Sequence, residues 1–174
     1  MPRIFQVNVT VEHGQLREYL ASETDRLEMI DRLQAILLDT TPGNTEMREG
    51  VIQILIDQLV NDNGHEPLII RTGGVPGELE EQIEWVSEIV ETPTKKREIK
   101  VTIDKYRNTV RTPRKPGRPD KPFTLPSNQG QTVHSGAQND KSGSKDQKFY
   151  KFSIEAKDTL GNDLELDPCI ICES

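Results

Sequence analysis

The sequence predicts an α+β fold: an acidic unit of one strand and three helices over residues 1–93, then a β-sandwich-like unit over residues 97–174 with long Pro-rich and Gly/Ser-rich loops. Three observations carry this expectation. Apolar residues recur mostly at helical spacing in the first half and alternate in the second. The charge changes sign at Lys95: residues 1–94 hold 6 basic and 18 acidic side chains, whereas residues 95–121 hold 11 basic and 3 acidic ones, a net of +8. Pro93 sits where both changes meet, which makes it the expected boundary. With 33% hydrophobic and 29% charged residues, the 174-residue chain can bury a core while keeping a large solvated fraction.

In chain order, Phe5, Val7, Val9 and Val11 alternate with Gln6, Asn8, Thr10 and Glu12, the pattern of a half-buried strand, with an antiparallel partner the more expected. His13-Gly14 breaks it. Ser22 caps a first helix over residues 23–39, whose apolar stripe is Leu27, Ile30, Leu33 and Leu37. Met47, Val51, Ile54, Leu55 and Leu59 mark a second helix, ended by Asn61-Asp62-Asn63-Gly64. Leu68-Ile69-Ile70 is too short for a helix and reads as a buried strand. Pro76 and Gly77 open a third helix with the stripe Leu79, Ile83, Val86 and Val90, and acids fill its first turn.

Beyond Lys95 the period becomes two: Ile99, Val101 and Ile103 alternate with Lys100, Thr102 and Asp104. Prolines at 113, 116, 119 and 122 recur every third residue, the period of a polyproline II segment. Residues 127–147, rich in Gly, Ser, Gln and Asn, read as a mobile loop. Residues 149–156 and 164–172 flank a turn at 158–163 and form a closing hairpin. Tyr150-Lys151-Phe152-Ser153-Ile154, Gly161-Asn162 and Asp167-Pro168-Cys169-Ile170-Ile171 resemble the last two strands of small bacterial β-sandwiches, cupredoxin-like domains without copper among them. The resemblance implies a sandwich from about Arg97 onward and no activity. Copper is not expected, since a blue-copper site needs two His and a Cys, and only His134 lies in this half.

No motif carries catalysis, a metal or a cofactor. Cys169 and Cys172 have half-site spacing, but tetrahedral zinc needs four ligands and a strand sends residues three apart to opposite faces. The loop Thr72-Gly73-Gly74-Val75-Pro76-Gly77 lacks the Lys and Ser/Thr of a P-loop, and Glu78, Glu80 and Glu81 would repel a phosphate. His13, His65 and His134 are scattered through polar turns. The candidate binding residues are Arg111, Pro113, Arg114, Lys115, Pro116, Arg118 and Lys121. Gly117-Arg118-Pro119 resembles part of an AT-hook, with Pro116 in place of its first arginine. The same stretch satisfies a polyproline-ligand pattern, and it also suits a stiff solvated connection.

These readings point to a non-enzymatic binding or assembly module that contacts another protein. Nucleic-acid binding by residues 95–121 is the alternative, and an enzyme whose site is invisible in sequence the third. A net charge of −7 weighs against nucleic acid, because a basic excess over the domain is its usual footprint. No stretch reaches the roughly 18–20 apolar residues of a membrane span. The expected location is cytoplasmic: no secretory leader opens the sequence, and its two cysteines make no disulfide framework.

Overall fold

A computed structural model describes residues 3–38, 68–71, 81–108, 128–135, 148–166 and 168–173. The strands are β1 (Arg3–Glu12), β2 (Gln15–Leu20), β3 (Leu68–Arg71), β4 (Glu81–Ser87), β5 (Val90–Thr92), β6 (Lys95–Lys96), β7 (Ile99–Asn108), β8 (Asn128–Gly130), β9 (Thr132–His134), β10 (Lys148–Lys157), β11 (Asp163–Leu166) and β12 (Cys169–Glu173). The one helix among the described residues is α1 (Glu23–Leu37). It starts at the expected cap, where the Asp25 N–H donates to Ser22 Oγ at 3.3 Å.

The expected three-helix N-terminal unit is therefore corrected to a strand-rich one. The second predicted helix lies outside the described residues. The third is replaced by β4, whose Glu81, Ile83, Trp85 and Ser87 are buried in strict alternation. Parallel pairing with β1 decides the matter by setting Phe5 beside Ile83, Val7 beside Trp85 and Val9 beside Ser87. Burying an aromatic and a β-branched side chain against a central strand outweighs an acid-rich start that also suits a helix. Sequence reading also passed over β2. Its turn is His13-Gly14, with both φ angles positive (52° and 76°), the geometry of a tight hairpin turn, and β2 runs antiparallel to β1.

Two sheets form the body. One runs β2-β1-β4-β9, the other β3-β12-β10-β7-β8, with β11 also paired to β10. Their inner faces share one core that includes Phe5, Val7, Val9, Ile83, Val101 and Ile154. At its centre the rings of Trp85 and Phe152, both fully buried, lie 5.4 Å apart at 54°. Strands from both sides of Pro93 enter each sheet, since β3 runs parallel to β12 and β4 antiparallel to β9. Gln131 alone separates β8 in one sheet from β9 in the other, so the chain turns a corner of the sandwich there. β11 and β12 lie in succession along one side of β10 and are interrupted near Pro168, whose carbonyl accepts the Phe152 N–H at 3.1 Å. On the other side of β10 the register against β7 shifts at the same level, between Lys151 and Phe152.

The edge strand β3 is capped by side chains instead of another strand. Arg32 of α1 donates to the Ile69 carbonyl at 2.7 Å, the Ile69 N–H meets Met29 Sδ at 3.2 Å, and the Arg71 N–H donates to Glu81 Oε1 at 2.7 Å. Arg32 and Glu81 close this arrangement with a two-pronged pair at 2.6 and 2.7 Å.

Candidate functional site

The first residues of the basic segment stand on the outer face of the larger sheet. Pro93 and Thr94 turn β5 into β6, and Thr92 Oγ1 fixes the return by accepting the Lys95 N–H at 3.1 Å. Gln131 Nε2 donates to the Lys96 carbonyl at 2.7 Å, while its own carbonyl accepts the Ser87 N–H at 2.8 Å. The Arg97 N–H donates to Ile89 at 2.7 Å. Backbone and amide bonds thus hold this hairpin and leave the Lys95 and Lys96 side chains exposed, while Arg97 is partly buried.

Beneath the hairpin the alternation of β7 and β10 sends Ile99, Val101, Ile154 and Ala156 into the core and Lys100, Glu155 and Lys157 outward. Register aligns Glu165, Glu155, Lys100 and Gln129 in one polar row across four strands. The result is an open groove of about 540 Å³ between the hairpin and the residues after it, with Glu91, Lys95, Lys96, Arg97 and Glu98, and the sheet, with Lys100, Gln129, Glu155, Lys157 and Asp163. Lys100 pairs with Glu155 at 3.9 Å and Lys157 with Asp163 at 3.8 Å. Among the described residues no ion pair is formed by Lys95, Lys96 or Arg97, and with Glu91 and Glu98 on the same wall these three cations leave it a small positive excess. The Asp158 carboxylate, in the β10–β11 turn, is held below its ordinary range by the Asn162 side chain and N–H, with the positive charge of Arg97 adding to the effect.

The candidate residues Arg111, Pro113, Arg114, Lys115, Pro116, Arg118 and Lys121 lie outside the described residues, as do the loop at 72–77, His65 and the side chains of Cys169 and Cys172. Of the basic segment, Lys95, Lys96, Arg97 and Lys100 are brought together. Sequence reading singled out none of these four individually, although the Pro93-Thr94 turn and the outward phase of Lys100 were both in view. His13 occupies the exposed β1–β2 turn, and His134 lies 3.4 Å from Glu84 on the outer face of the smaller sheet. Among the described residues no three His, Cys, Asp or Glu side chains gather as a metal-holding group, and no helix is long and apolar enough to cross a membrane.

That outer face carries a second polar contact, in which the Tyr19 hydroxyl donates to Glu88 at 2.5 Å. The bond to Glu88, helped by partial burial, raises the phenol above its ordinary 10.0. Because the folded value exceeds the unfolded one, this contact's contribution is fully present below about pH 10 and is lost as pH rises through the folded value. In an ultraviolet titration, Tyr19→Phe is expected to remove one phenolate transition above pH 10, and Glu88→Gln to bring that transition down toward 10. An unchanged titration curve in Glu88→Gln would contradict the assignment.

No protein-family model matches the chain, and neither a curated protein nor a solved structure matches it.

Proposed function

We propose that the chain is a non-enzymatic binding module that contacts another protein, and that the groove under the β5–β6 hairpin receives an acidic segment of that partner. The observation behind this reading is the placement of Lys95, Lys96 and Arg97 on and beside a hairpin fixed by Thr92 and Gln131, above a sheet face whose Lys100 and Lys157 are already paired. Cations that make no ion pair within the described residues and stand on a fixed backbone attract a carboxylate-bearing segment. In sequence, Arg111, Arg114, Lys115, Arg118 and Lys121 continue the same charge, and the proposal assigns them and Pro113 and Pro116 to the same contact. It places the complex in the cytoplasm.

The test is fluorescence anisotropy with a labelled peptide of Asp, Glu and Gly, at about 50 and 200 mM salt, a span over which exposed charge contacts are increasingly screened. Binding is expected at the lower salt, weakening at the higher. The double variant Lys95→Glu/Lys96→Glu should lower affinity about tenfold or more, through like-charge repulsion. A mixed-sequence DNA duplex serves as the competitor. If it binds more tightly than the peptide, with affinity falling steeply as salt rises, nucleic-acid binding replaces the present reading.

A further inference from the structure

α1 carries apolar side chains on two sides. Toward the core it buries Met29 and Arg32, with Leu33 packed beside them. On roughly the opposite side Leu27, Ile30 and Leu38 are 52%, 37% and 76% exposed. Leu38 still belongs to the helical ladder, since its N–H donates to the Gln34 carbonyl at 2.9 Å. With 3.6 residues per turn these three side chains fall within about 80° of one another, so they form one stripe along the outside of the helix.

A single exposed leucine is ordinary on a surface, whereas an apolar stripe on the outer face of a helix calls for a cover. The chain supplies a candidate for it. Residues 39–67, which lie outside the described residues, are tied to α1 at both ends. They leave from Leu38, at the end of the stripe, and rejoin at Leu68, next to Ile69, whose N–H and carbonyl meet Met29 and Arg32 of α1. Thr41-Pro42-Gly43 sets a turn signal directly after the helix, and connections this short join neighbouring antiparallel segments. Beyond it the sequence places Met47, Val51, Ile54, Leu55 and Leu59 at helical spacing, with Ile52, Ile56 and Val60 among them, an apolar content that demands burial on more than one side. A segment tethered so closely meets the stripe at an effective concentration of about millimolar, which a separate partner rarely matches. We infer that Leu27, Ile30 and Leu38 are the seat of residues 44–60 of the same chain, whose apolar side chains cover the stripe. No residue of α1 lines the groove, so this inference stands apart from the reading of that site.

Trypsin gives the test, because Arg48 is the only lysine or arginine in residues 39–67. The rate of cleavage after Arg48 is read by mass spectrometry on the full chain under native conditions and on a synthetic peptide of residues 39–67. The chain is expected to be cut at least about tenfold more slowly than the peptide, since cleavage follows the population of the open form. Leu27→Asp/Ile30→Asp should raise the rate in the chain about tenfold, the order of effect that losing two apolar contacts produces. Cleavage after Arg17, in β2, should stay at the rate of the unaltered chain; if it rises in step, the double variant has unfolded and Leu27→Ser, expected to raise the Arg48 rate by a smaller factor, carries the comparison. Equal rates for chain and peptide, or a rate that neither variant moves, overturn the seat. So does a dimer in sedimentation equilibrium that dissociates in Leu27→Asp/Ile30→Asp while the Arg48 rate holds, an outcome that gives the stripe to a second copy.

Discussion

Replacing Arg32 with Ala is expected to lower the free energy of unfolding by roughly 3–5 kcal/mol, the range for breaking a buried ion pair by removing one partner. The side chains of Arg32 and Glu81 are only 5% and 8% exposed and meet at 2.6 Å, so Arg32→Ala strands a carboxylate away from water. It also takes the donor from the Ile69 carbonyl and the cation from its place 5.4 Å from the Phe5 ring centroid. Urea titration followed through Trp85, the sole tryptophan, gives the measurement. The double variant Arg32→Met/Glu81→Leu should lose less than Arg32→Ala, because it leaves no buried charge behind, the remaining partner Glu28 being a third exposed. A loss below about 1 kcal/mol in Arg32→Ala, the scale of an exposed pair, would mean that the pair is hydrated in solution.

A fragment of residues 97–174 is expected to show no cooperative unfolding transition. It keeps β7 to β12 but lacks β3, the parallel partner of β12, and β4, the antiparallel partner of β9. It also lacks Phe5, Val7, Val9, Ile83 and Trp85, leaving Phe152, Ile154 and Val101 without the opposite layer of the core. A sheet with one bare apolar face does not persist alone in water. Circular dichroism during a urea titration distinguishes the outcomes, and mixing with a fragment of residues 1–96 should restore a transition. A sharp transition in the isolated fragment would establish two separable units divided near Pro93.

Local pattern and tertiary pairing contributed differently to what could be read in advance. β1, β3, β7 and the β10–β11–β12 region announce themselves by alternation or by a short apolar run, and α1 by its Ser22 cap, although Leu27 and Ile30 of its expected stripe are exposed and Met29 and Arg32 are the buried ones. β4 does not. Ile83 and Val86 fit a helix while Ile83 and Trp85 fit a strand, and β1, some 78 positions earlier by the Phe5–Ile83 pairing, decides between them. Glu81 misled for a related reason: it reads as a dipole-favoured acid at a helix start, yet its role is to hold Arg32 and the Arg71 N–H. The groove was half legible. Which side of β7 and β10 faces water follows from alternation, whereas the register aligning Lys100 with Glu155, and the hairpin standing over them, arise only from pairing between distant segments.

The pairing of β3 with β12 also sets an order of events during synthesis. Leu68 lies opposite Ile170, about 100 residues later in the chain. At about 5–20 residues per second, the Leu68-Ile69-Ile70 edge leaves the ribosome roughly 5–20 seconds before its strand partner has been made. During that interval an apolar β-prone segment has no ladder of its own, the condition in which nascent chains associate wrongly. Arg32 has been synthesised by then, and Glu81 follows within a second or a few. The guanidinium and carboxylate that bond the Ile69 carbonyl and Arg71 N–H cover the other edge of β3, so the edge that awaits β12 stays open until Ile170 and its neighbours are made.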